Sequence, residues 1–370
     1  MKSKFFPALA VFVGTAVGAG YLGIPYVISK SGFLPGFLYL VFVALFILIE
    51  MLYLGEVALR TKGNHQLTGY AQKYLGKPGK MLMFFAMIFG IYYALTAYLI
   101  GEGKSLSYIL LGNESMAFVF SIFFFLVMVC FTYIGLKALK KYEQFVMILV
   151  WATISLIVLF FAKGINIENL SYINKEHIFL PFGVILFSFL AFSALPEVKR
   201  VLSGQEGLMK KVISFGIIVP FIIYLIFTTI VVGNFGKNVP EIAVLALGRF
   251  FSILAVLTMF TAFFTLTIAI RDMFRFDFDL GRFRGWLLAI LVPLVLFLLI
   301  YFFNLLTFTQ ILAISGIVSG GLTGILVLLM NIKAKKFGNR KPEYSMPINW
   351  LIIVLMSAIF IAAVLAEFLL

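Results

Sequence analysis

Runs of about 20 apolar residues recur along the whole of this chain, and they constrain its fold more than any other feature. A helix of that length crosses the hydrocarbon core of a bilayer. Inside lipid the backbone must satisfy its own hydrogen bonds, so such runs form helices rather than open strands. Only 12% of the residues are charged, against about 25% in soluble domains. The sequence therefore predicts an all-α polytopic membrane protein.

Hydropathy predicts eleven transmembrane helices joined by short loops, and we expect residues 1–370 to form a single transmembrane domain. The approximate bounds are 5–29, 33–60, 79–103, 116–136, 142–162, 178–204, 209–233, 249–273, 284–303, 308–331 and 348–369.

The charge distribution predicts the orientation of these helices. The formal net charge is +14, and a cytoplasmic N-terminus places 23 of the 29 Lys and Arg residues on the cytoplasmic side. Cytoplasmic loops are enriched in these residues. We therefore expect a multi-pass protein of the cell membrane with a cytoplasmic N-terminus and an extracellular C-terminus. The basic residues are scattered over short connections without a basic tail, so we expect no nucleic-acid partner.

The spacing of the spans indicates an internal repeat. Spans that begin at 79, 116 and 142 recur at 249, 284 and 308, and the prolines of the first and sixth spans, Pro25 and Pro196, lie at a similar offset. Five spans per half is an odd number, so the second half must be inverted relative to the first. The predicted repeats are 5–162 and 178–331, followed by an extra helix at 348–369. Inverted repeats of this kind are common in secondary transporters.

The first span carries four glycines and a proline between Gly14 and Pro25. These residues weaken a helix by about 1 kcal/mol for each Gly and about 3 kcal/mol for Pro. Unpaired backbone at membrane depth is tolerated where it lines a cavity or is buried in protein. The motif therefore predicts a broken helix whose freed amides bind an anionic group. The alternative is close helix packing through the Gly14 and Gly18 pair.

The sixth span carries small and hydroxyl residues from Ser188 to Ala194, followed by Pro196 and Glu197. This interruption falls at the place in its repeat that the glycine motif has in the first. Two interrupted spans at corresponding positions are the best sequence indication of a transporter binding site.

The stretch from 14 to 25, GTAVGAGYLGIP, resembles the first-helix signature of the hydroxy and aromatic amino acid permeases of the amino acid–polyamine–organocation superfamily. The matching positions are Gly14, Thr15, Gly18, Ala19, Gly20, Leu22 and Pro25, with further matches at Glu56, Ala97, Tyr98, Ser188, Phe189, Pro196 and Asp272. The resemblance covers spans one to ten. It implies a LeuT-type five-plus-five inverted repeat and import of neutral amino acids driven by an ion gradient. The sixth span departs from the family's glycine-rich break, so the substrate within that class stays open.

We expect the amides near Gly18 to hold a substrate carboxylate and the carbonyls of 188–191 to hold its ammonium group. Because neither break carries an ionisable side chain, we expect a neutral substrate, large and apolar or aromatic. The predicted substrate-binding residues are Thr15, Gly18, Ala19, Gly20, Ser188, Phe189, Ala191, Phe192, Tyr92 and Tyr98.

Acidic residues inside membranes are candidates for function. For ion coupling we predict Glu197, Glu56, Thr261 and Thr265, with a proton favoured over sodium and no cofactor beyond the transported ion. The resemblance implies that Glu56 braces the broken helices. The alternatives are an ion pair of Glu56 with Arg60, pairing of Glu197 with Lys199 or Arg200, and threonines bonded to their own helix. We expect Glu102 to be a solvated acid beside Lys104, Glu50 to make a helix–helix hydrogen bond, and Asp272 to pair with Arg271.

Other classes of protein are distinguishable by sequence or by experiment. A membrane amino-acid receptor on the same fold would bind without accumulating its ligand. A divalent-metal carrier would need Asp, Asn and Met in the breaks, and these residues are missing from both. An enzyme is not expected, because His65 and His177 fall in loops without a nucleophile–base constellation. The expected partners are an amino acid and the lipid bilayer, and the oligomeric state is left open.

Overall fold

The structure is a computed structural model that describes residues 3–63, 65–134 and 139–348, together with positions 354 and 358. These residues are helical or irregular and contain no strand. The α-helices are α1 (Phe5–Ala16), α2 (Gly20–Ser31), α3 (Phe33–Leu59), α4 (Leu67–Leu111), α5 (Ala117–Ile134), α6 (Leu139–Phe161), α7 (Glu168–Ser171), α8 (Pro181–Phe189), α9 (Leu195–Val201), α10 (Met209–Phe235), α11 (Arg249–Asp277), α12 (Arg282–Phe303), α13 (Phe308–Ser315) and α14 (Gly321–Phe337).

Eight helical segments of this described part are long and apolar enough to cross a membrane, and the bent pair of α1 and α2 makes a ninth. Helix α6 occupies the place of the predicted fifth span. The predicted span 348–369 lies outside the described residues apart from three positions. Several helices run further than hydropathy predicts: α4 begins at Leu67 rather than near 79, with a kink at Gly76, and ends at Leu111, and α14 ends at Phe337. Hydropathy detects only the apolar part of a helix, and these helices continue beyond it.

The ends of the spans meet on two faces of the bundle. The N-terminal face, as we call it, is formed by residues 3–5, 60–63, 65–66, 199–208 and 338–347, where Lys4 Nζ donates to the Ser203 carbonyl at 2.6 Å. The opposite face is formed by residues 30–33, 104–116, 165–178, 236–249 and 304–309, where the Asn174 amide donates to the Ser31 carbonyl at 2.9 Å. The spans therefore alternate in direction between these two faces.

Small residues bring the central helices into close contact. A Cβ atom at Gly316 would collide with the Gly183 carbonyl, and one at Gly183 would lie 2.8 Å from the Ala313 side chain. Residues Gly316–Gly320 form a π-helical turn that joins α13 to α14. Helices in membranes approach closely where such residues face each other. This contact holds α8, and with it the sixth span's interruption, against the tenth span.

Candidate functional site

The first span is broken in the middle. Helix α1 ends at Ala16, α2 begins at Gly20, and the two are bent by 51°. The break also brings two spans together, because a Cβ atom at Gly20 would lie 2.5 Å from Ser188 Oγ and 2.8 Å from Ser188 Cα. Only glycine fits this approach without a shift of the backbone. The predicted break in the first span is thus present.

The sixth span is broken at the corresponding place. Helix α8 ends at Phe189, the backbone leaves helical angles at Leu190 and Ala191, and α9 begins at Leu195 with Pro196 in its first turn. Proline is well tolerated at this position, where its missing amide would have no partner in any case. The two breaks lie side by side through the contact of Gly20 with Ser188.

A tyrosine that sequence analysis did not select joins the two breaks. The Tyr224 hydroxyl, on α10, lies 2.9 Å from the Ala16 carbonyl and 2.8 Å from the Ser188 carbonyl. These carbonyls end α1 and α8, so neither has the usual partner further along its helix. A hydroxyl has one proton, so Tyr224 donates to one carbonyl at a time or shares its proton between them. Its ring stacks on Tyr21 with 6.2 Å between centroids.

A cavity of about 110 Å³ lies between the breaks, on the side of the N-terminal face. Its wall is neutral, because the described residues that line it include no charged side chain. Apolar side chains are contributed by Met87, Ile91, Phe187, Leu190, Phe192 and Leu266. Hydroxyl groups are contributed by Thr15, Tyr98, Ser188, Ser193, Thr261, Thr265, Ser315 and Ser319. Such a wall suits a small neutral molecule with both apolar and polar parts.

The structure brings together most of the predicted site residues. Those that line the cavity are Thr15, Gly18, Gly20, Ser188, Phe192, Tyr98, Thr261 and Thr265. Ala19 and Ala191 are buried within the breaks without lining the cavity. The Tyr98 hydroxyl lies against the Ala19 amide and would be 3.2 Å from a Cβ atom at Gly18. Tyr98 therefore packs directly on the first break.

Phe189 and Tyr92 lie outside the cavity, which corrects our expectation for both. Phe189 packs edge-on against Tyr224 at 5.1 Å between centroids, and Phe187 lines the cavity in its place. Residues two apart on a helix point in nearly opposite directions. Only one of Phe187 and Phe189 can therefore face the cavity, and the orientation of α8 selects Phe187. The Tyr92 hydroxyl donates to the Leu288 carbonyl of α12 at 3.1 Å. Tyr92 thus joins two spans rather than walling the pocket.

Glu56 has partners other than the broken helices, contrary to the implied bracing role. Its fully buried carboxylate pairs with Lys335 Nζ and Arg60 Nε, each at 2.8 Å. It also accepts from Asn331 at 3.1 Å and from the Met346 amide at 2.8 Å. The pairing with Arg60 is the alternative that sequence analysis left open. Glu56 ties the end of α3 to α14 and to the segment that follows it.

That following segment, residues 338–347, crosses the end of α3 on the N-terminal face. The Tyr344 hydroxyl donates to the Leu52 carbonyl, and Arg340 donates to the Leu59 carbonyl, both at 2.8 Å. The Glu343 carboxylate, hydrogen-bonded to the guanidinium, raises the pKa of Arg340 above its ordinary value. These contacts give Glu56 its buried environment.

Glu197 and Asp272 form local ion pairs. Glu197 lies in the first turn of α9, pairs with Arg200 and keeps 33% of its side chain exposed. Glu197 is therefore only partly buried, and the pairing with Arg200 that sequence analysis gave as the alternative is present. Asp272 pairs with Arg271 at 2.8 Å, as expected.

Two threonines of α11, Thr261 and Thr265, line the cavity, and threonines of this helix also bond to its own backbone. Thr261 Oγ1 donates to the carbonyls of Leu257 and Thr258, each at 3.1 Å. Thr258 Oγ1 donates to the Leu254 carbonyl at 2.9 Å. These bonds use the hydroxyl protons and leave oxygen lone pairs available to a cation.

Two acids in the spans differ from expectation. Glu102 is fully buried, and neither it nor Glu50 has a hydrogen-bond partner in the described part of the chain. Lys104 instead pairs with Glu241 at 3.3 Å and with Glu114 at 3.6 Å. Glu102 and Lys104 are two residues apart on α4 and so point to different sides of it. The expectation of a solvated Glu102 beside Lys104 is wrong.

Comparison with a solved structure defines the class of fold. The structure "Inward facing conformation of Mhp1" matches with a TM-score of 0.68 at 13% sequence identity, covering 99% of this chain and 88% of that chain. This likeness confirms the predicted all-α LeuT-type fold with its broken first and sixth helices.

Comparison of sequences defines the family. The chain matches the tryptophan/tyrosine permease family over residues 1–244 and belongs to that family, which is one of transporters rather than enzymes. Glutamine transporter 2 of Aliivibrio fischeri is 25% identical over 247 residues, 64% of this chain and 63% of the relative. Tyrosine-specific transport system 2 of Haemophilus influenzae is 24% identical over 234 residues, 61% of this chain and 57% of the relative. Each match thus spans less than two thirds of the relative's length.

Proposed function

We propose that this protein is a secondary active transporter that imports neutral amino acids by alternating access, driven by an ion gradient. The observation that carries the proposal is the neutral cavity between two adjacent helix breaks. At such a site the freed amides of α2 suit a carboxylate, and the freed carbonyls of α8 suit an ammonium group. A free amino acid carries both groups. The orientation proposed is the cytoplasmic N-terminus that the charge distribution favours.

Within this class we propose a large apolar or aromatic side chain as the preferred one. Phe187, Phe192, Met87 and Leu266 offer apolar surface on the cavity wall. The relatives are named for glutamine and tyrosine, which are both neutral and both carry a polar end. The hydroxyl groups of Ser315 and Ser319 could meet such an end.

Uptake into proteoliposomes tests the proposal. Purified protein is reconstituted, and labelled Trp, Tyr, Phe, Leu, Gln, Arg, Lys and Glu are offered under a pH gradient, a sodium gradient or no gradient. We expect accumulation of neutral amino acids, with the aromatic ones favoured and the pH gradient effective without sodium. Preference for Arg, Lys or Glu would contradict the substrate class, and strict dependence on sodium would contradict the proton. Binding without accumulation under any gradient would indicate a receptor.

A further inference from the structure

The face of α4 that lines the cavity continues beyond Tyr98 towards the opposite face of the bundle. Met87, Ile91, Ala94 and Tyr98 line the cavity at spacings of four, three and four residues, which keeps them on one face of the helix. The next positions on this face are Glu102 and Ser105. We call these six residues the α4 stripe. Glu102 lies one turn, about 6 Å, beyond Tyr98 in the direction of the opposite face.

The two polar members beyond Tyr98 are sealed in protein. Glu102 and Ser105 are fully buried, and their side-chain oxygens have no hydrogen-bond partner among the described residues. The neighbouring Gly101 faces apolar atoms, because a Cβ atom there would lie 2.6 Å from Met259 Sδ and 3.0 Å from the Phe308 ring. An ionised carboxylate without a partner is strongly disfavoured in such surroundings. Burial without a partner therefore favours the neutral, protonated form of Glu102 in this conformation.

The charged groups near this end of α4 are engaged elsewhere. Lys104 pairs with Glu241 and Glu114, and Glu241 also accepts from Thr309 at 2.9 Å. The titratable groups on the described elements around the outer half of α4 include Lys104 and Tyr108 of α4 itself, Glu114 before α5, Glu241 before α11, Arg249 of α11, Tyr301 of α12, and Tyr21 and Tyr26 of α2. Arg249 lies against Gly112, about 15 Å along the helix from Glu102.

We propose that Glu102 is the residue that binds the coupling proton, an inference that rests on the proposed ion-driven transport. The contacts of Lys104, Glu241 and Thr309 close the stripe at the opposite face. When that closure opens, water reaches Glu102 and its carboxylate can take a proton. The opposite face can then close over Glu102 only when its carboxyl group is neutral, that is, protonated. When the transport cycle opens the N-terminal side, the proton passes from Glu102 to water in the cavity, one helical turn away. The Tyr98 hydroxyl lies between them and can both donate and accept a hydrogen bond.

Glu50 is the natural control. It is also fully buried and without a hydrogen-bond partner in the described part of the chain. However, it lies on α3, and none of the described residues of α3 lines the cavity. A buried acid away from the α4 stripe should carry a proton permanently and play no part in coupling.

The experiment compares Glu102→Gln, Glu102→Asp and Glu50→Gln in proteoliposomes, with labelled tyrosine, tryptophan and glutamine as probes. For Glu102→Gln we expect a complete loss of accumulation driven by a pH gradient, while exchange of labelled for unlabelled amino acid is retained. Glu102→Asp should restore part of the accumulation, because it restores a titratable group. Glu50→Gln should accumulate as the parent does. Unchanged accumulation by Glu102→Gln, or loss of exchange together with accumulation and without rescue by Asp, would overturn the proposal.

An infrared measurement separates this proposal from the proposed function. Difference spectra between acidic and alkaline pH, recorded on liposomes without amino acid, report the carbonyl stretch of protonated carboxylic acids. We expect Glu102→Gln to remove one pH-dependent band that Glu50→Gln leaves in place. If the parent protein shows that band and yet accumulates none of the three amino acids, the result would refute transport of these probes, but it would support proton binding at Glu102. An unchanged difference spectrum in Glu102→Gln would refute proton binding at Glu102.

Discussion

The Tyr224 hydroxyl tests how the two broken helices are held together. Tyr224→Phe keeps the ring that stacks on Tyr21 and removes only the group that contacts the two carbonyls. The Ala16 carbonyl retains the Gly18 amide at 2.9 Å, whereas the Ser188 carbonyl accepts from the Tyr224 hydroxyl among the described residues. The substitution therefore leaves one buried carbonyl without its partner.

The expected cost follows from that single carbonyl. An unsatisfied buried polar group costs about 1–3 kcal/mol, and side-chain hydrogen bonds between membrane helices average about 0.6 kcal/mol with a maximum of about 1.7. We expect Tyr224→Phe to lower the free energy of opening at the breaks by about 1–2 kcal/mol. Amides of residues 186–192 should then exchange hydrogen about 5–30 times faster than in the parent.

The assay is hydrogen exchange of the purified protein in detergent or lipid, followed by mass spectrometry of peptides that cover the breaks. The matched control is Tyr70→Phe, because Tyr70 is fully buried and its hydroxyl has no hydrogen-bond partner among the described residues. The control should leave exchange at residues 186–192 unchanged. Equal exchange at the breaks in parent and Tyr224→Phe would refute the bracing role.

Three further predictions concern other parts of the molecule. Gly20→Val should abolish amino-acid binding in a thermal-shift assay, because its Cβ atom would lie 2.5 Å from an oxygen at the end of α8, whereas Gly14→Ala, with no atom within 4 Å, should bind normally. Glu56→Gln should lower the free energy of unfolding by about 3–5 kcal/mol, the cost of breaking a buried ion pair, and a variant that unfolds like the parent would show that the pair is not structural. Ser3→Cys in a Cys130→Ala background should resist an impermeant thiol reagent in intact cells, and labelling there would place the N-terminus outside.

The two helix breaks were predictable because their cause is local. Glycine and proline weaken a helix wherever they occur, and the breaks fall in the predicted motifs, at residues 17–19 and 190–194. The bracing tyrosine was not predictable in the same way. Tyr224 is one of 16 tyrosines, lies in an ordinary apolar span and has no motif around it. Only the tertiary structure shows that its hydroxyl reaches two chain ends.

The partners of the acidic residues were equally unpredictable from sequence, with one exception. Glu56 gains its partners Lys335 and Met346 from residues far along the chain, and no local pattern indicates them. For Glu102 a signal was available, because it follows Tyr98 by four residues and therefore shares its helix face. Its nearness to Lys104 in sequence suggested a solvated pair, and that inference ignored the direction of the side chains.

The broken helices also explain why the site suits a molecule with both charges of a free amino acid. Each break frees backbone groups that lipid cannot satisfy. Part of that cost is offset within the protein, since the Tyr224 hydroxyl lies within hydrogen-bond distance of one carbonyl at each break and shares its proton between them, and the Ala19 amide faces the Tyr98 hydroxyl. The two breaks also border the cavity, at Gly18 and Gly20 in the first span and at Leu190 in the sixth. A ligand with a carboxylate at one end and an ammonium group beside it can satisfy donors of one break and acceptors of the other together. Binding then ties the two breaks to each other, as the hydroxyl of Tyr224 does from the other side.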